Sequence, residues 1–305
     1  MDEVKIFDYS DWIPYEGFSA GSGRSEKQWL QSKEGDIGLF KYPKFNPETL
    51  EVTTEYVSEH LAHRIGELIG VETALVGIGT YKGHIGCISY CINKSNEDVV
   101  EGATFIVKKH PDYDLNLMQE ASNGRYYCFD HFLEITSEPS VVDGWIQMML
   151  FDYLIGNSDR HQNNWAFLKE WDKEKRKNPV YRVCPLYDNG SSLCSYVTEE
   201  DAGALLGKDR NRFEALVDRQ SKSMIRIDGY TRKRPTHREV VKSLVTRYDE
   251  ATRFAEVIMT RMTGTVIGNL LDSYRGILSD TKIELIKRFL VRKLEILNDI
   301  VRGDN

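Results

Sequence analysis

The spacing of apolar positions changes part-way along the chain. In residues 16 to 42 they alternate with polar ones, as in "KQWLQSKEGDIGLFKY", and the break at Glu34-Gly35-Asp36 predicts a β-hairpin there. From about Glu48 to Ile69 the positions Val57, Leu61, Ile65 and Leu68 recur at helical spacing. Gly70 ends that run, because glycine takes the left-handed conformation that closes helices. "TALVGIGTYKGHIGCISYCI" reads as two strands joined at Lys82-Gly83. Residues 114 to 134 and 139 to 156 read as helices, and 164 to 170 with 180 to 187 read as a pair of strands. The remainder, from about 234 to 302, is nearly all helical pattern and ends in "TKIELIKRFLVRKLEILNDIV". The expectation is an α+β chain with a small mixed lobe over 1–96 and a larger, mainly helical lobe over 97–305.

Composition narrows the class. With 305 residues, 41% hydrophobic and 29% charged, the chain is long enough for two cores and has the balance of a soluble globular protein. No apolar run approaches the roughly 18 residues of a membrane span, and "MDEVKIFDYS" lacks the charged-then-apolar order of a signal peptide. Five cysteines (Cys87, Cys91, Cys128, Cys184, Cys194) without a CxxC pair point to a reduced, cytoplasmic compartment, with neither a disulfide framework nor a zinc site. Secretion without a signal peptide stays open. A net charge of −7 argues against broad nucleic-acid binding. The basic stretch "DGYTRKRPTHR" (228 to 238) offers a surface to an anionic partner, although a solvated loop with a proline break is the better reading.

Candidate chemistry concentrates in "DYLIGNSDRHQNNWAFL", residues 152 to 168. There Asn157, Asp159, Arg160, His161, Asn163 and Asn164 lie between two apolar runs. So many donors and acceptors held indoors cost stability unless they are satisfied or bind something. Asp159 and Asn164 have Asp-x-x-x-x-Asn spacing, and Asp188 follows in "CPLYDNGSSL". This is the arrangement of a phosphoryl-transfer site: a base for the substrate hydroxyl and two oxygen ligands for Mg²⁺. The pair alone is a weak signal, since a hydrogen-bonded turn also uses it. His161 reads as a structural imidazole bonding to the loop backbone. The N-terminal part supplies a matching half. "GFSAGSGRSEKQWL" (17 to 30) is a glycine- and serine-rich loop leading into a strand, suited to cradling phosphates. Lys41 ends the next strand in "IGLFKYPK", and Glu55 begins the helix in "TTEYVSEHLAHRIG", offering the strand-Lys, helix-Glu pair that clamps nucleotide phosphates.

"SGRSEKQWL", "LFKYPK", "TEYVSEHLAHRIG", "FDYLIGNSDRHQNNWAFL" and "PLYDNGSSL", in this order, resemble the HipA-type serine/threonine kinases, and most of all their short stand-alone CtkA-like members. The family's catalytic loop has the form IGNxDxHxxN and its metal motif the form PxYD. The resemblance covers about residues 17 to 195 and implies a bilobal protein-kinase-like fold of the phosphoinositide-kinase-like branch, since the loop reads Asp-Arg-His rather than His-Arg-Asp. It implies ATP and Mg²⁺ as cofactors, with Ser22, Gly23, Arg24, Ser25 and Lys27 around the phosphates and Lys41 positioning ATP beside Glu55. Asp159 is then the base, with Asn164 and Asp188 as Mg²⁺ ligands. Autophosphorylation of a serine in the phosphate loop is a family habit, and Ser22, then Ser19, are the candidates here. The implied substrate is a protein, of the translation-factor or aminoacyl-tRNA-synthetase kind. A toxin role with a small antitoxin partner is also within the family. Full-length HipA toxins carry a subdomain ahead of the loop that begins here near residue 17, which leaves a HipA-like antitoxin contact open. No direct nucleic-acid or membrane partner is expected. The alternatives are a small-molecule or lipid kinase of the phosphoinositide type and a nucleotide-binding pseudokinase.

Overall fold

The computed structural model describes residues 3–18, 26–47, 51–170 and 180–303. The chain divides into two compact units. The first takes Met1–Ile92 together with Asp188–Phe213 and Met262–Val291; the second takes Asn93–Tyr187, Glu214–Arg261 and Arg292–Asn305. The expected boundary at residue 96 therefore lies near the first crossing, but two later stretches join the N-terminal residues. Local bonds explain why. Thr54 N–H donates to the Ser195 carbonyl, Ser58 Oγ to the Ser192 carbonyl, and Val4 N–H to the Ser273 carbonyl.

The first unit is built on a six-stranded sheet. Its strands are β1 (Ile6–Asp8), β2 (Ile13–Pro14), β3 (Lys27–Gln31), β4 (Ile37–Lys41), β7 (Val76–Tyr81) and β8 (His84–Tyr90), ordered β1-β7-β8-β4-β3-β2. A two-strand ribbon, β5 (Phe45–Asn46) with β6 (Glu51–Val52), lies between β4 and helix α1 (Glu55–Ile69) in the chain. The pairing is antiparallel except for β1 on β7. The β7–β8 turn is Lys82-Gly83, both at positive φ (50° and 80°), the conformation that two-residue hairpins of matching twist require. Strand alternation sorts the two faces. Leu30, Phe40, Ile88 and Tyr81 point to one face and form an aromatic-rich core with Tyr9. Lys41, Cys87 and Ile78 share the other face by register, and α1 packs there against β7 and β8 through its apolar stripe. Gly70, at φ 83°, ends α1 as its sequence position predicts. The helix begins at Glu55, later than the expected start near Glu48. Of the residues before it, 48 to 50 lie outside the described set, while Glu51 and Val52 form β6.

The second unit centres on α4 (Pro139–Ile155), buried along its whole second half and packed against the helices His237–Arg247 and Asp249–Arg261. A three-stranded sheet of β9 (Glu97–Glu101), β12 (Ala166–Glu170) and β13 (Val180–Val183) flanks it, ordered β13-β12-β9. The β12–β13 pair matches the sequence expectation; β9 and the helix after it, α2 (Gly102–Lys109), were not foreseen. The expected helix over 114–134 is mostly absent. In its place stand a short hairpin of β10 (Tyr113–Asp114) and β11 (Gln119–Glu120), then α3 (Phe129–Ile135). The Asp114 carboxylate accepts from the N–H groups of Asn116 and Leu117, and Gly124 sits at φ 75°. These local side-chain bonds compete with the helical ladder and win.

Two predictions follow from the packing. Gly102 begins α2 directly against the Trp165 indole, and an added Cβ would overlap that ring. Trp165 is buried, stacked on Phe132 at 4.5 Å and donating Nε1–H to the Tyr127 hydroxyl at 2.8 Å, so it has nowhere to retreat. Gly102→Ala will therefore cost about 1–3 kcal/mol of stability, as overpacked cores do, read as a lower midpoint in urea unfolding. His60 on α1 gives a pH signature. Burial, reinforced by Arg64 and His63, pushes its pKa down to about 4, and its Nδ1 lies 2.7 Å from the Tyr274 hydroxyl. A folded pKa below the unfolded value near 6.5 means that the unfolded chain binds more protons in between. Stability will thus be complete above pH 6.5 and fall as pH drops toward 4, by up to about 3 kcal/mol from this group. His60→Gln should flatten that slope.

Candidate functional site

In the first unit, Lys41 closes β4 with its ammonium between two carboxylates. Nζ lies 2.5 Å from Glu59 Oε1 and 2.8 Å from Asp188 Oδ1. The Lys41 side chain is 18% exposed and Glu59 5%, so the pair is largely out of water, while Asp188 is 48% exposed and open to solvent. Burial pulls the Lys41 ammonium toward neutrality, but Asp188 and Glu59 outweigh it and hold the pKa above the ordinary lysine value. The lysine stays charged at any physiological pH. Glu59 also accepts from the Asn189 N–H at 2.9 Å through its other oxygen, so one carboxylate fixes both the strand lysine and the backbone beside Asp188. Asp188 itself sits at φ 57°, a left-handed conformation that non-glycine residues adopt at a cost and that clusters at working sites.

The partner of Lys41 is therefore Glu59, not Glu55. Glu55 lies one turn earlier on α1, where it bonds to Lys44 Nζ at 2.9 Å and to the Tyr196 hydroxyl. Burial acts to raise its pKa, but the bonds from Thr53, Tyr196 and Lys44 lower it on balance. The two acids lie four residues apart on α1, on the same helix side. Lys27 stands directly across from Lys41 in the β3–β4 register, so both side chains leave the same face. Lys27 has no ion pair among the described residues. Glu59 and Asp188 already balance the Lys41 charge, so Lys27 is the cation of this pair left for another group. The loop residues Ser19, Ser22, Gly23, Arg24 and Ser25 lie outside the described residues.

In the second unit, α4 ends at Gly156, at φ 70°, and the polar loop follows. Most of its polar groups hold the loop itself. Arg160, 1% exposed, forms a buried ion pair with Asp152 at 2.8 Å and donates to the carbonyls of Asn164 (2.7 Å) and Tyr187 (2.8 Å). Burial raises the Asp152 pKa against the pull of Arg160. Asn157 donates to Asp152 and accepts from the Asp159 N–H at 3.0 Å. His161 Nδ1 accepts from the Asn163 N–H at 3.2 Å, the structural role expected of it. Asn164 donates Nδ2–H to the Asp159 carbonyl at 2.8 Å. That bond assigns the amide, and Asn164 Oδ1 is left without a hydrogen-bond partner among the described residues. An unspent amide oxygen here and a half-exposed carboxylate at Asp188 are the donor types a hard divalent cation takes, so both residues fit Mg²⁺. Asp159 is half-buried, with the Arg234 guanidinium as an attractive charge in its surroundings.

Comparison with known proteins supplies a context for this geometry. No family model matches the chain. The serine/threonine-protein kinase CtkA of Helicobacter pylori is 26% identical over 205 residues, a stretch covering 64% of this chain and 57% of that protein. The crystal structure of the H. pylori proinflammatory kinase CtkA superposes with a TM-score of 0.78 at 18% identity, over 99% of this chain and 100% of that one. The chain is thus similar to the HipA/CtkA-like kinases. A chain of the Shewanella oneidensis MR-1 toxin–antitoxin complex of HipA, HipB and operator DNA matches with a TM-score of 0.54 at 12% identity, over 96% of this chain and 69% of that one. The fold is accordingly protein-kinase-like, with a sheet-based small lobe and a helical larger one.

Sequence reasoning missed Glu59, the Asp152–Arg160 pair and Arg234. Glu59 was in view as the second acid of "TEYVSEH", but spacing gave no reason to prefer it. A double-mutant cycle on unfolding free energy checks the revised pair. Lys41→Met and Glu59→Gln should show a coupling of about 1–3 kcal/mol, as residues in one ionic network do, while Lys41→Met and Glu55→Gln should add within about 0.5 kcal/mol.

Proposed function

We propose that this chain is an ATP- and Mg²⁺-dependent protein serine/threonine kinase. The observation that carries the reading is the Lys41 ammonium held between Glu59 of α1 and Asp188. A strand lysine steadied by a helix glutamate is what phosphoryl transfer uses to hold nucleotide phosphates, where catalysis is almost wholly positioning and charge stabilisation. In this reading Lys41 and Lys27 contact phosphate oxygens. Glu59 keeps the Lys41 side chain from wandering, and Asp188 and Asn164 supply oxygen ligands to Mg²⁺. When bound, the metal neutralises charge on the transferring phosphoryl group. Asp159 accepts the proton of the substrate hydroxyl and orients its oxygen for attack. The Asp159 backbone is tied on both sides, by Asn157 at its N–H and by Asn164 at its carbonyl, which narrows the positions its carboxylate can sample.

The finer parts rest on likeness. Autophosphorylation at Ser22 or Ser19 would put roughly 1.5 to 2 negative charges beside the nucleotide phosphates and so weaken ATP binding. A toxin role beside a small antitoxin draws on the likeness to the HipA–HipB system, and the protein substrate is drawn from the same family kinship. None of the five cysteines forms a disulfide, which suits work in the cytoplasm, and no described helix is long and apolar enough to cross a membrane.

Asp159→Asn tests the reading. Transfer to a protein hydroxyl should fall at least about 100-fold, the share of a general base, while ATP affinity stays near that of the parent. Asp188→Ala should instead weaken ATP binding chiefly when Mg²⁺ is present, read by calorimetry with and without the metal. Transfer by Asp159→Asn at the parent's rate would remove the loop from the chemistry.

A further inference from the structure

Residues 222–234 hold five lysines and arginines (Lys222, Arg226, Arg232, Lys233, Arg234) against one carboxylate, Asp228, in a chain whose net charge is −7. A solvated charge run would be the ordinary reading, but two of these cations are built in. Arg234 is half-buried: Nε donates to the Ser223 carbonyl at 3.0 Å, and Nη2 to the carbonyls of Lys222 at 2.9 Å and Ser158 at 2.6 Å. Arg226 donates to the carbonyls of Thr231 at 3.1 Å and Arg232 at 3.0 Å, and its guanidinium lies 4.5 Å from the centre of the Tyr126 ring. Main-chain carbonyls orient both side chains without neutralising them.

The nearby acids do not supply the missing charge. Asp228 accepts from the Tyr230 N–H and the Thr231 hydroxyl of its own turn. Glu239 caps the Thr236 N–H and feels Lys222 and Lys233 only at a distance. None of the five cations has an ion pair among the described residues. Burial, then mutual repulsion with Arg226, lowers the Arg234 pKa, and Asp159 opposes that shift. Burial also lowers that of Arg226. Two oriented, partly desolvated guanidinium groups that repel each other cost stability, and a bound anion offsets that cost.

The location selects the anion. Arg234 bonds to the carbonyl of Ser158, the residue before Asp159, so the segment adjoins the group read above as the base. What approaches there is the protein bearing the acceptor hydroxyl. We propose that residues 222–234 form a recognition site for carboxylate side chains flanking that hydroxyl, so that the preferred substrate segment is an acidic peptide. This rests on Asp159 being the base. The carbonyls take the Nε and Nη2 donors of both arginines and leave their Nη1 groups for a carboxylate oxygen, and the exposed Tyr230 at the turn adds a contact for the peptide backbone or its apolar side chains.

The test uses the full chain and fluorescein-labelled serine peptides whose neighbouring positions are Asp, Ala or Lys. Binding is read by fluorescence anisotropy and transfer by phosphate incorporation. Asp-flanked peptide should bind at least about tenfold tighter than Ala-flanked peptide, with the ratio shrinking as salt rises. In Arg226→Gln, and separately in the exposed Lys233→Gln, the Asp-to-Ala ratio should fall about threefold for each cation removed. A ratio is unaffected by any general loss of active protein. Equal binding of the three peptides, an unchanged ratio in both variants, or tighter binding of a single-stranded RNA of matched charge would overturn the proposal. So would variants that raise the KM for ATP alone, since the cations would then serve the nucleotide. Anisotropy needs no turnover: acidic preference without phosphate incorporation by the parent would sink the kinase reading and leave the recognition site standing.

Discussion

The Lys41 ammonium is the interaction on which the first unit's site depends. It stands at the end of β4 and is met by Glu59 from α1 and Asp188 from the later stretch that joins this unit, so one cation ties together three separate pieces of chain. The arrangement is affordable only because it is not fully buried. Lys41 keeps some solvent contact and Asp188 keeps half, which softens the desolvation that makes interior ion pairs expensive. Glu59 is the deepest member, and its second oxygen is used by the Asn189 N–H. Both oxygens of that buried carboxylate are thus engaged, whereas the carboxylate at Asp188 remains half-exposed.

The second unit solves a different problem with the same physics. Its loop after α4 carries the half-buried Asp159, and the buried Asp152–Arg160 pair anchors that loop. Arg160 spends its donors on one carboxylate and two main-chain carbonyls, so a charge that would be intolerable alone is fully engaged. The six polar residues between two apolar runs are thus mostly scaffold. Asn157, Arg160 and His161 shape the loop, and Asn164 both shapes it and presents an oxygen. Arg234 also braces this loop, through the Ser158 carbonyl.

Local signals were legible wherever a short-range rule governs the backbone. The hairpin at Glu34–Asp36, the Lys82-Gly83 turn, the stop at Gly70, the helix over 139–155 and the terminal helices all depend on neighbouring residues and were readable as such. The stretch 114–134 was misjudged because helical spacing of apolar residues coexists there with Asp114, Asn116, Asn123 and Gly124. Their turn chemistry decides the conformation once Glu120, Arg125 and Glu134 lock together. Strand β9 went unseen because "EDVVE" is too short and charged to signal a strand until β12 is there to pair with it.

By itself the sequence determined the kinds of chemical group available and their order: a lysine ending a strand, acids one turn apart on a helix, and an Asp-x-x-x-x-Asn loop after an apolar helix. Those follow from spacing, which a chain displays directly. Which acid meets the lysine was decided by tertiary placement: Glu59 reaches Lys41, while Glu55 is taken by Lys44 and Tyr196. Likewise "TRKRP" is a plain basic run in one dimension. Only the fold brings Arg234 to the Ser158 carbonyl and leaves Arg226 without an ion pair among the described residues, because contacts between residues tens of positions apart are fixed by packing and not by any local rule.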